Sequence, residues 1–416
     1  MTETEKQTYS AKDILKELGL CFIIALVLLM MDRNLENIYP FFLLGTGKRI
    51  IDLWISFEMH MHSWLKVLIP IAFLVWLIRN RFHVRLGLLL PILACYLCYL
   101  ITSFFTSGIT YRWWNTTECP LMMYLFISMQ CASGKGARRL AFAGTLLYTV
   151  LLFLNALFIF FPGLYQIISG WEPEYFLSPD NLTGFPMFFG LLLAFLDNHY
   201  NHAKWRYRVY LALFLLNMVL IHCASALIAG MVLLLYLLLP AIRDLFRKLN
   251  FNIFTGLSVL LCVLLVAVSC YFFYSGNAPK WLYDITRQKR SIVIRFIIWC
   301  GVFKEILLQP FLGYGLGYDA DFFLRPNTSV IHHAHNAYLQ TWHEGGLPVM
   351  AAVFTVLFLF AKKLKTCRDR KLAGIFAVIV FSELIMMQST IESWFTWFPV
   401  FVIIQMASLL CSADDS

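Results

Sequence analysis

Charged residues are scarce in this chain. Asp, Glu, Lys and Arg make up only 14% of its 416 residues, against about a quarter in a typical soluble domain. Hydrophobic residues make up 60%, and the mean hydropathy is +0.72. The long apolar runs also lack the apolar-polar alternation, over about ten residues, of membrane barrel strands. The composition therefore excludes an ordinary soluble protein and predicts an all-α, polytopic membrane bundle.

The basic excess does not indicate a nucleic-acid partner. The formal net charge is +9, but the basic residues occur in short clusters between apolar runs. Clusters of this kind orient a membrane protein, because cytoplasmic loops are enriched in Lys and Arg. We therefore expect membrane lipids as partners and no nucleic acid.

Twelve spans are predicted, because a spanning helix needs about 20 mainly apolar residues. The alternation of basic and non-basic connectors survives all twelve crossings and predicts cytoplasmic termini. The predicted organisation is helices 1–9 over residues 1–274, an extracytoplasmic catalytic loop with short amphipathic helices over 275–345, and helices 10–12 over 346–416. The predicted spans are 15–31, 64–78, 86–105, 120–133, 140–162, 182–197, 207–222, 225–242, 253–274, 346–361, 372–388 and 395–411.

The predicted outward loop, residues 275–345, does not follow the rule that basic residues concentrate in cytoplasmic loops. It carries seven basic and five acidic residues, a net charge of +2 on the outward side. Long loops can escape the rule, so one interpretation is a solvated loop. The other is an anion site that faces outward, where basic groups bind phosphate.

Arg295 favours the anion site. It interrupts an apolar run and shares a helix face with Trp299 and Val302. A cation at the centre of a membrane helix costs about 2.5–3.5 kcal/mol on insertion scales, so it usually marks a functional partner or a water-filled cavity. A snorkelling side chain, or a salt bridge to Asp284 or Glu305, is the structural alternative.

A glycine-rich turn follows, with the sequence QPFLGYGLG from Gln309 to Gly317. Pro310 is expected to end the helix, and the alternating glycines permit close backbone approach. The spacing matches neither the dinucleotide fingerprint nor the P-loop. A re-entrant turn is therefore favoured over a phosphate cradle.

Three histidines come next, at His332, His333 and His335, with Glu344 nine residues beyond the last. A metal site is one interpretation, although no carboxylate or cysteine accompanies them at ligand spacing. A single general base or acid is favoured, because a neutral imidazole accepts a proton near neutral pH. A helix starting near His335 would align that residue with Leu339 and Trp342.

Together these residues resemble a known signature. The Arg295–Trp299 helix, the turn QPFLGYGLG and the run HAHNAYLQTWHEGGL look like the C-terminal motifs of the O-antigen ligase and O-antigen polymerase superfamily. The motifs cover about Ser291 to Gly346. The helix count, the termini and the late loop extend the resemblance over the chain, and LSPDNLTGF at 177–185 is similar to the family's Pro-Asn segment.

The resemblance implies a GT-C-like helical fold and a metal-independent, inverting glycosyltransferase that needs no cofactor. Its donor would be an undecaprenyl-diphosphate-linked oligosaccharide, and its acceptor a hydroxyl of a glycan or lipid-linked molecule. Transfer would occur on the outer side of the bacterial cytoplasmic (inner) membrane. His335 matches the catalytic His, and Glu344 is assigned to the catalytic residues with it. Arg295 matches the Arg that holds the diphosphate, with Arg290 and Arg287 as further contacts; the supporting residues are Asn336, Trp299, His333 and His222.

One position departs from the family pattern. Members often carry a Ser-Arg pair near the outer end of a mid-chain helix, whereas here Ser225 is followed by Ala226. Either another cation, such as His222, replaces that Arg, or the donor binds differently.

Two questions of function stay open at this point. A ligase and a polymerase differ in acceptor, which is lipid A core or another terminal acceptor for the first and a second lipid-linked repeat unit for the second. The lack of a large soluble domain slightly favours a polymerase. A polysaccharide or lipid transporter or flippase is the alternative class, but it would favour mid-bilayer charges in several helices and two related halves.

Overall fold

The computed structural model describes residues 11–31, 48–106, 110–164, 176–177, 182–221, 223–275, 289–316, 333–389 and 397–411. Fourteen helices lie within these residues. They are α1 (Ala11–Met31), α2 (Lys48–Arg79), α3 (Leu89–Thr106), α4 (Thr110–Cys131), α5 (Gly134–Phe160), α6 (Gly184–Asn201), α7 (Lys204–Leu220), α8 (Ala224–Leu238), α9 (Pro240–Lys248), α10 (Phe251–Ser275), α11 (Lys289–Leu308), α12 (Ala337–Thr366), α13 (Arg370–Met386) and α14 (Phe398–Leu410).

The all-α prediction is confirmed over the described residues, and each of the twelve predicted segments overlaps a helix. Among the described residues, five helices are long and apolar enough to cross a membrane by length and composition, and six if one bent pair counts as a single span. The chain is thus a polytopic helical membrane protein. The number of twelve spans, the position of the outward loop and the three-part organisation stay predictions.

The predicted span 225–242 is not one straight helix. Helix α8 ends at Leu238, and α9 leaves it at an angle of 101°. Leu239 is extended, with φ −100° and ψ 114°, because the ring of Pro240 disfavours helical backbone in the residue before it. The apolar run alone did not reveal this break.

The centre of the bundle is formed by α6, α13 and α14. All thirteen residues of α14 are buried, whereas α1, α2, α7 and α10 each carry exposed Leu, Ile, Val or Phe side chains. Apolar side chains are expected on the outside of a protein whose surroundings are lipid tails. The inner helices therefore support the elements that surround them.

Helix α12 carries the predicted site and contacts many elements. It packs against α3, α10, α11 and α14, and in part against α13. Its backbone is non-helical at Gly346, with φ 61° and ψ −162°, so that the helix consists of two segments joined by a kink. The shorter segment, from Ala337 to Gly345, begins two residues after His335. The range 275–345, predicted as a loop with short helices, contains this segment and the twenty-residue helix α11.

Candidate functional site

His335 lies just before α12, in a left-handed backbone conformation with φ 47°. Asn336 is the N-cap, and its Oδ1 accepts hydrogen bonds from the N–H groups of Tyr338 (3.0 Å) and Leu339 (3.1 Å). An Asn side chain in this position satisfies N–H groups that have no partner within the helix. The helix therefore begins after His335, and the expected alignment of His335 with Leu339 and Trp342 along one helix is wrong.

Two neighbouring helices hold this cap in place. Asn336 Nδ2 donates to the carbonyl of Gln388 (3.0 Å), and the N–H of Ala337 donates to the carbonyl of Met387 (2.8 Å). Gln388 Nε2 in turn donates to Ser258 Oγ of α10 (2.9 Å). Asn336 is fully buried. Its amide thus fixes the backbone beside His335 to the C-terminal end of α13 and, through Gln388, to α10.

The positive charge of Arg295 acts on the His335 side chain. The pKa of His335 is lowered from 6.5 to about 4, first by burial, then by the positive charge of Arg295, and then by His333. The rings of His333 and His335 meet edge to face, with centroids 6.0 Å apart. Burial and a neighbouring cation both disfavour the imidazolium. The His335 side chain is therefore a neutral imidazole at physiological pH.

The described residues that follow Arg295 on the same face of α11 are buried. Arg295 itself is partly exposed, while Trp299 and Val302 are buried. Trp299 Nε1 is buried and makes no hydrogen bond with the residues that the structure describes. A buried N–H without a partner costs free energy. The Trp299 N–H lies one helical turn from Arg295, so it can donate a hydrogen bond to a bound ligand.

Glu344 reaches the backbone before His335 through one side chain. Gln340 Nε2 donates to Glu344 Oε1 (2.8 Å), and Gln340 Oε1 accepts from the N–H of Ala334 (2.7 Å). Gln340 is 7% exposed, so this chain of two hydrogen bonds is shielded from solvent. The described contact of Glu344 thus supports the residue that precedes His335.

The glycine turn docks on the kink of α12. The N–H groups of Tyr314 and Gly315 donate to the carbonyls of His343 and Glu344, both at 2.8 Å. A Cβ at Gly313, where φ is 67°, would lie 2.6 Å from the His343 carbonyl oxygen. These two N–H groups are already paired, which agrees with a turn and not with a phosphate cradle. Helix α11 ends at Leu308, two residues before Pro310, as predicted.

Several predicted residues lie wholly or partly outside the described part of the structure. Arg290 lies in the first turn of α11, and its side chain is outside the described part. Arg287, His222, His332 and Gly317 lie outside the described residues altogether. The structure thus brings Arg295, Trp299, His333, His335, Asn336 and Glu344 into one region where α11 meets the start of α12. Within the described ranges, no group of three His, Cys, Asp or Glu side chains has the arrangement of a metal site.

The sequence interpretation missed one pair at this site. His343 Nε2 lies 2.9 Å from Glu305 Oε2, between α12 and α11. Both residues are within the motif region, but Glu305 had been considered only as a partner for Arg295. The ring of Tyr314 stacks on His343, with centroids 4.7 Å apart. The contacts of His343 with Glu305 and Tyr314 depend on how the chain folds, so the sequence alone did not indicate them.

Comparison with known proteins gives one match. Residues 209–354 match the family described as O-antigen ligase, and no curated protein matches the chain. The matched range runs from α7 to the second segment of α12 and includes every described residue of the site. Together with the apolar helices, it indicates a multi-pass bacterial membrane protein with glycosyltransferase-type activity on lipid-linked glycans. The resemblance drawn from the motifs is therefore confirmed over residues 209–354, which are similar to the O-antigen ligase family.

Proposed function

We propose that this protein transfers a glycan from an undecaprenyl-diphosphate-linked donor to a hydroxyl acceptor, on the outer side of the cytoplasmic membrane. The observation that supports this most directly is the proximity of the Arg295 guanidinium to a neutral His335 imidazole. A cation for a leaving phosphate and a base for an attacking hydroxyl are the two groups that such a transfer needs.

Arg295 is proposed to bind the donor diphosphate. In the transfer, the acceptor oxygen forms a bond to the anomeric carbon while the bond from that carbon to the phosphate oxygen breaks. The diphosphate leaves with the electron pair, and a guanidinium stabilises its developing charge. The buried Trp299 Nε1 is a further donor on the same helix. Arg290 and Arg287 are proposed as additional phosphate contacts, and His222 as the cation in place of the missing Arg near Ser225.

His335 is proposed as the base that takes the proton of the acceptor hydroxyl. In the free enzyme its pKa is lowered to about 4 by burial and then by the charge of Arg295, and so weak a base is poorly suited to neutral pH. A bound diphosphate offsets the positive charge of Arg295 and raises the pKa of the imidazole. Donor binding thus makes His335 a better base when the acceptor arrives.

The remaining residues are proposed to hold these two groups in place. Asn336 fixes the backbone beside His335, Glu344 acts through Gln340, and His333 contacts the His335 ring. Attack on the face of the sugar opposite the leaving diphosphate inverts the anomeric centre. Departure of a diphosphate needs no metal when cationic side chains carry its charge, so we propose a metal-independent, inverting transferase with twelve spans and cytoplasmic termini.

The test is a transfer assay with purified protein in liposomes. The donor is a lipid-diphosphate oligosaccharide, offered with lipid A core or with a second lipid-linked repeat unit, and products are resolved by mass spectrometry. Transfer to lipid A core identifies a ligase, and chain growth identifies a polymerase. Since a general base contributes about 10²–10⁴-fold, His335→Ala should reduce transfer by at least about 100-fold. The control is His83→Ala, at an exposed position outside the site. Wild-type transfer by His335→Ala would refute the assignment.

A further inference from the structure

The Glu305–His343 pair is a second contact between the two elements that carry Arg295 and His335. The two side-chain atoms are 2.9 Å apart. The His343 side chain is 1% exposed and that of Glu305 31%. An imidazole as buried as that of His343 carries a free-energy cost unless it has a partner, and the partly exposed Glu305 is that partner. The pair therefore fixes a definite arrangement of α11 against α12.

Tyr314 joins both members of the pair. Its ring stacks on His343 with an interplanar angle of 18°, its hydroxyl donates to the carbonyl of Glu305 (3.1 Å), and its N–H donates to the carbonyl of His343 (2.8 Å). We call Glu305, His343 and Tyr314 the register clamp. Its three members come from α11, from α12 and from the glycine turn, so it joins three separate segments at one point.

On each of the two segments, a clamp residue comes about two to three helical turns after Arg295 or His335. Glu305 is ten residues after Arg295, and His343 is eight residues after His335. At a rise of about 1.5 Å per residue, the clamp lies about 15 Å along α11 from Arg295. The glycine turn after α11 is already bonded to the kink of α12, and the Glu305–His343 pair adds a contact from α11 itself that fixes its register. A slip of one helical turn would displace Arg295 by about 5.4 Å relative to α12.

We propose that the register clamp positions Arg295 opposite His335, so that Glu305, His343 and Tyr314 are positioning residues for the reaction. This inference rests on the proposed glycan transfer. The clamp residues need not touch the donor or the acceptor, because they act through the placement of α11. Catalytic groups require such support, since a small misplacement of a reacting group causes a large loss of rate.

The experiment compares Glu305→Ala with Glu305→Gln in the purified transfer assay. Ala removes the clamp but is a good helix former, while Gln keeps an oxygen that accepts from His343. We expect kcat of Glu305→Ala to fall about tenfold or more with the donor KM changed less than about twofold, and Glu305→Gln to recover most of kcat. The matched control is Lys304→Ala, at the adjacent exposed position of α11. An unchanged kcat in Glu305→Ala would overturn the proposal.

Two further measurements separate positioning from general structural support. In an Arg295→Lys background the loss caused by Glu305→Ala should shrink to about threefold or less, because residues that act on the same geometry are not additive. An undiminished tenfold loss would overturn the positioning role. Hydrogen exchange of the segments around residues 305–316 and 337–347 should rise in Glu305→Ala, without any assay of activity. Unchanged exchange in Glu305→Ala would also overturn the clamp. Normal transfer by His335→Ala would instead refute the proposed function, and the exchange measurement would still test the clamp.

Discussion

Gly346 and Phe311 approach so closely that a Cβ at position 346 would lie 2.2 Å from the Phe311 carbonyl oxygen. Next to this contact, the N–H of Leu347 donates to the same carbonyl at 3.1 Å. The glycine turn after α11 is thus held against the kink of α12 by main-chain groups. This contact sets the position of the kink, and therefore the direction of the first segment of α12 and the position of His335 before it.

The first prediction concerns this contact. Gly346→Ala places a side chain at φ 61° and against the Phe311 carbonyl, and backbone strain of this kind costs about 1–3 kcal/mol. We expect a lower midpoint of thermal unfolding for the detergent-purified variant. Gly256→Ala in α10 is the control, because a Cβ there meets nothing within 4 Å and Ala is favoured over Gly within a helix by about 0.5–1 kcal/mol. Equal midpoints in the two variants would contradict the role given to Gly346.

A second prediction compares two helix caps. Asn336 caps α12 and Asp369 caps α13, each through two backbone N–H groups. Replacing either with Ala should cost about 0.5–2 kcal/mol of stability for the cap. Only Asn336→Ala should also lower glycan transfer beyond the effect on folded protein, because only Asn336 fixes the backbone beside His335. The measurement is transfer per folded molecule, and an equal loss of transfer in Asp369→Ala would argue against a special role for Asn336.

Much of the helical arrangement was predictable from the sequence, because length and continuity of apolar runs are local properties. Arg295 stood out as a lone cation on an apolar face, and the glycines of the turn indicated close backbone approach. The pairing of Glu305 with His343 was not predictable, since it joins residues 38 positions apart through the packing of two helices. The turn at Leu239 was also missed, because the apolar run continues past Pro240. The roles of His335 and Arg295 came from a resemblance, and their proximity came from the structure.

A third prediction tests Arg295 as the diphosphate contact. Arg295→Gln should raise the donor KM about tenfold or more, since a charge-assisted hydrogen bond is worth about 1.5–3 kcal/mol. The KM for the acceptor should change much less. Lys304→Gln removes the same charge from an exposed position on the same helix and should leave both KM values near those of the wild type. A larger effect of Arg295→Gln on the acceptor KM than on the donor KM would reverse the assignment.

The last prediction is a displacement between two pH profiles. In the free enzyme the pKa of His335 is about 4, lowered from 6.5 by burial, Arg295 and His333. The base form is therefore present above pH 4, and kcat/KM, which reports the free enzyme, should fall only as the pH drops through about 4. In the donor complex the diphosphate offsets the charge of Arg295 and raises the pKa of His335, so the acid limb of kcat should lie at a higher pH. Arg295→Gln removes the repulsion in the free enzyme, so its kcat/KM limb should move upward as well, toward pH 6.5. The two limbs are compared in pH profiles measured with saturating and with limiting donor. If the acid limb of the wild-type kcat/KM already lies at pH 6.5 and does not move in Arg295→Gln, Arg295 does not control the basicity of His335.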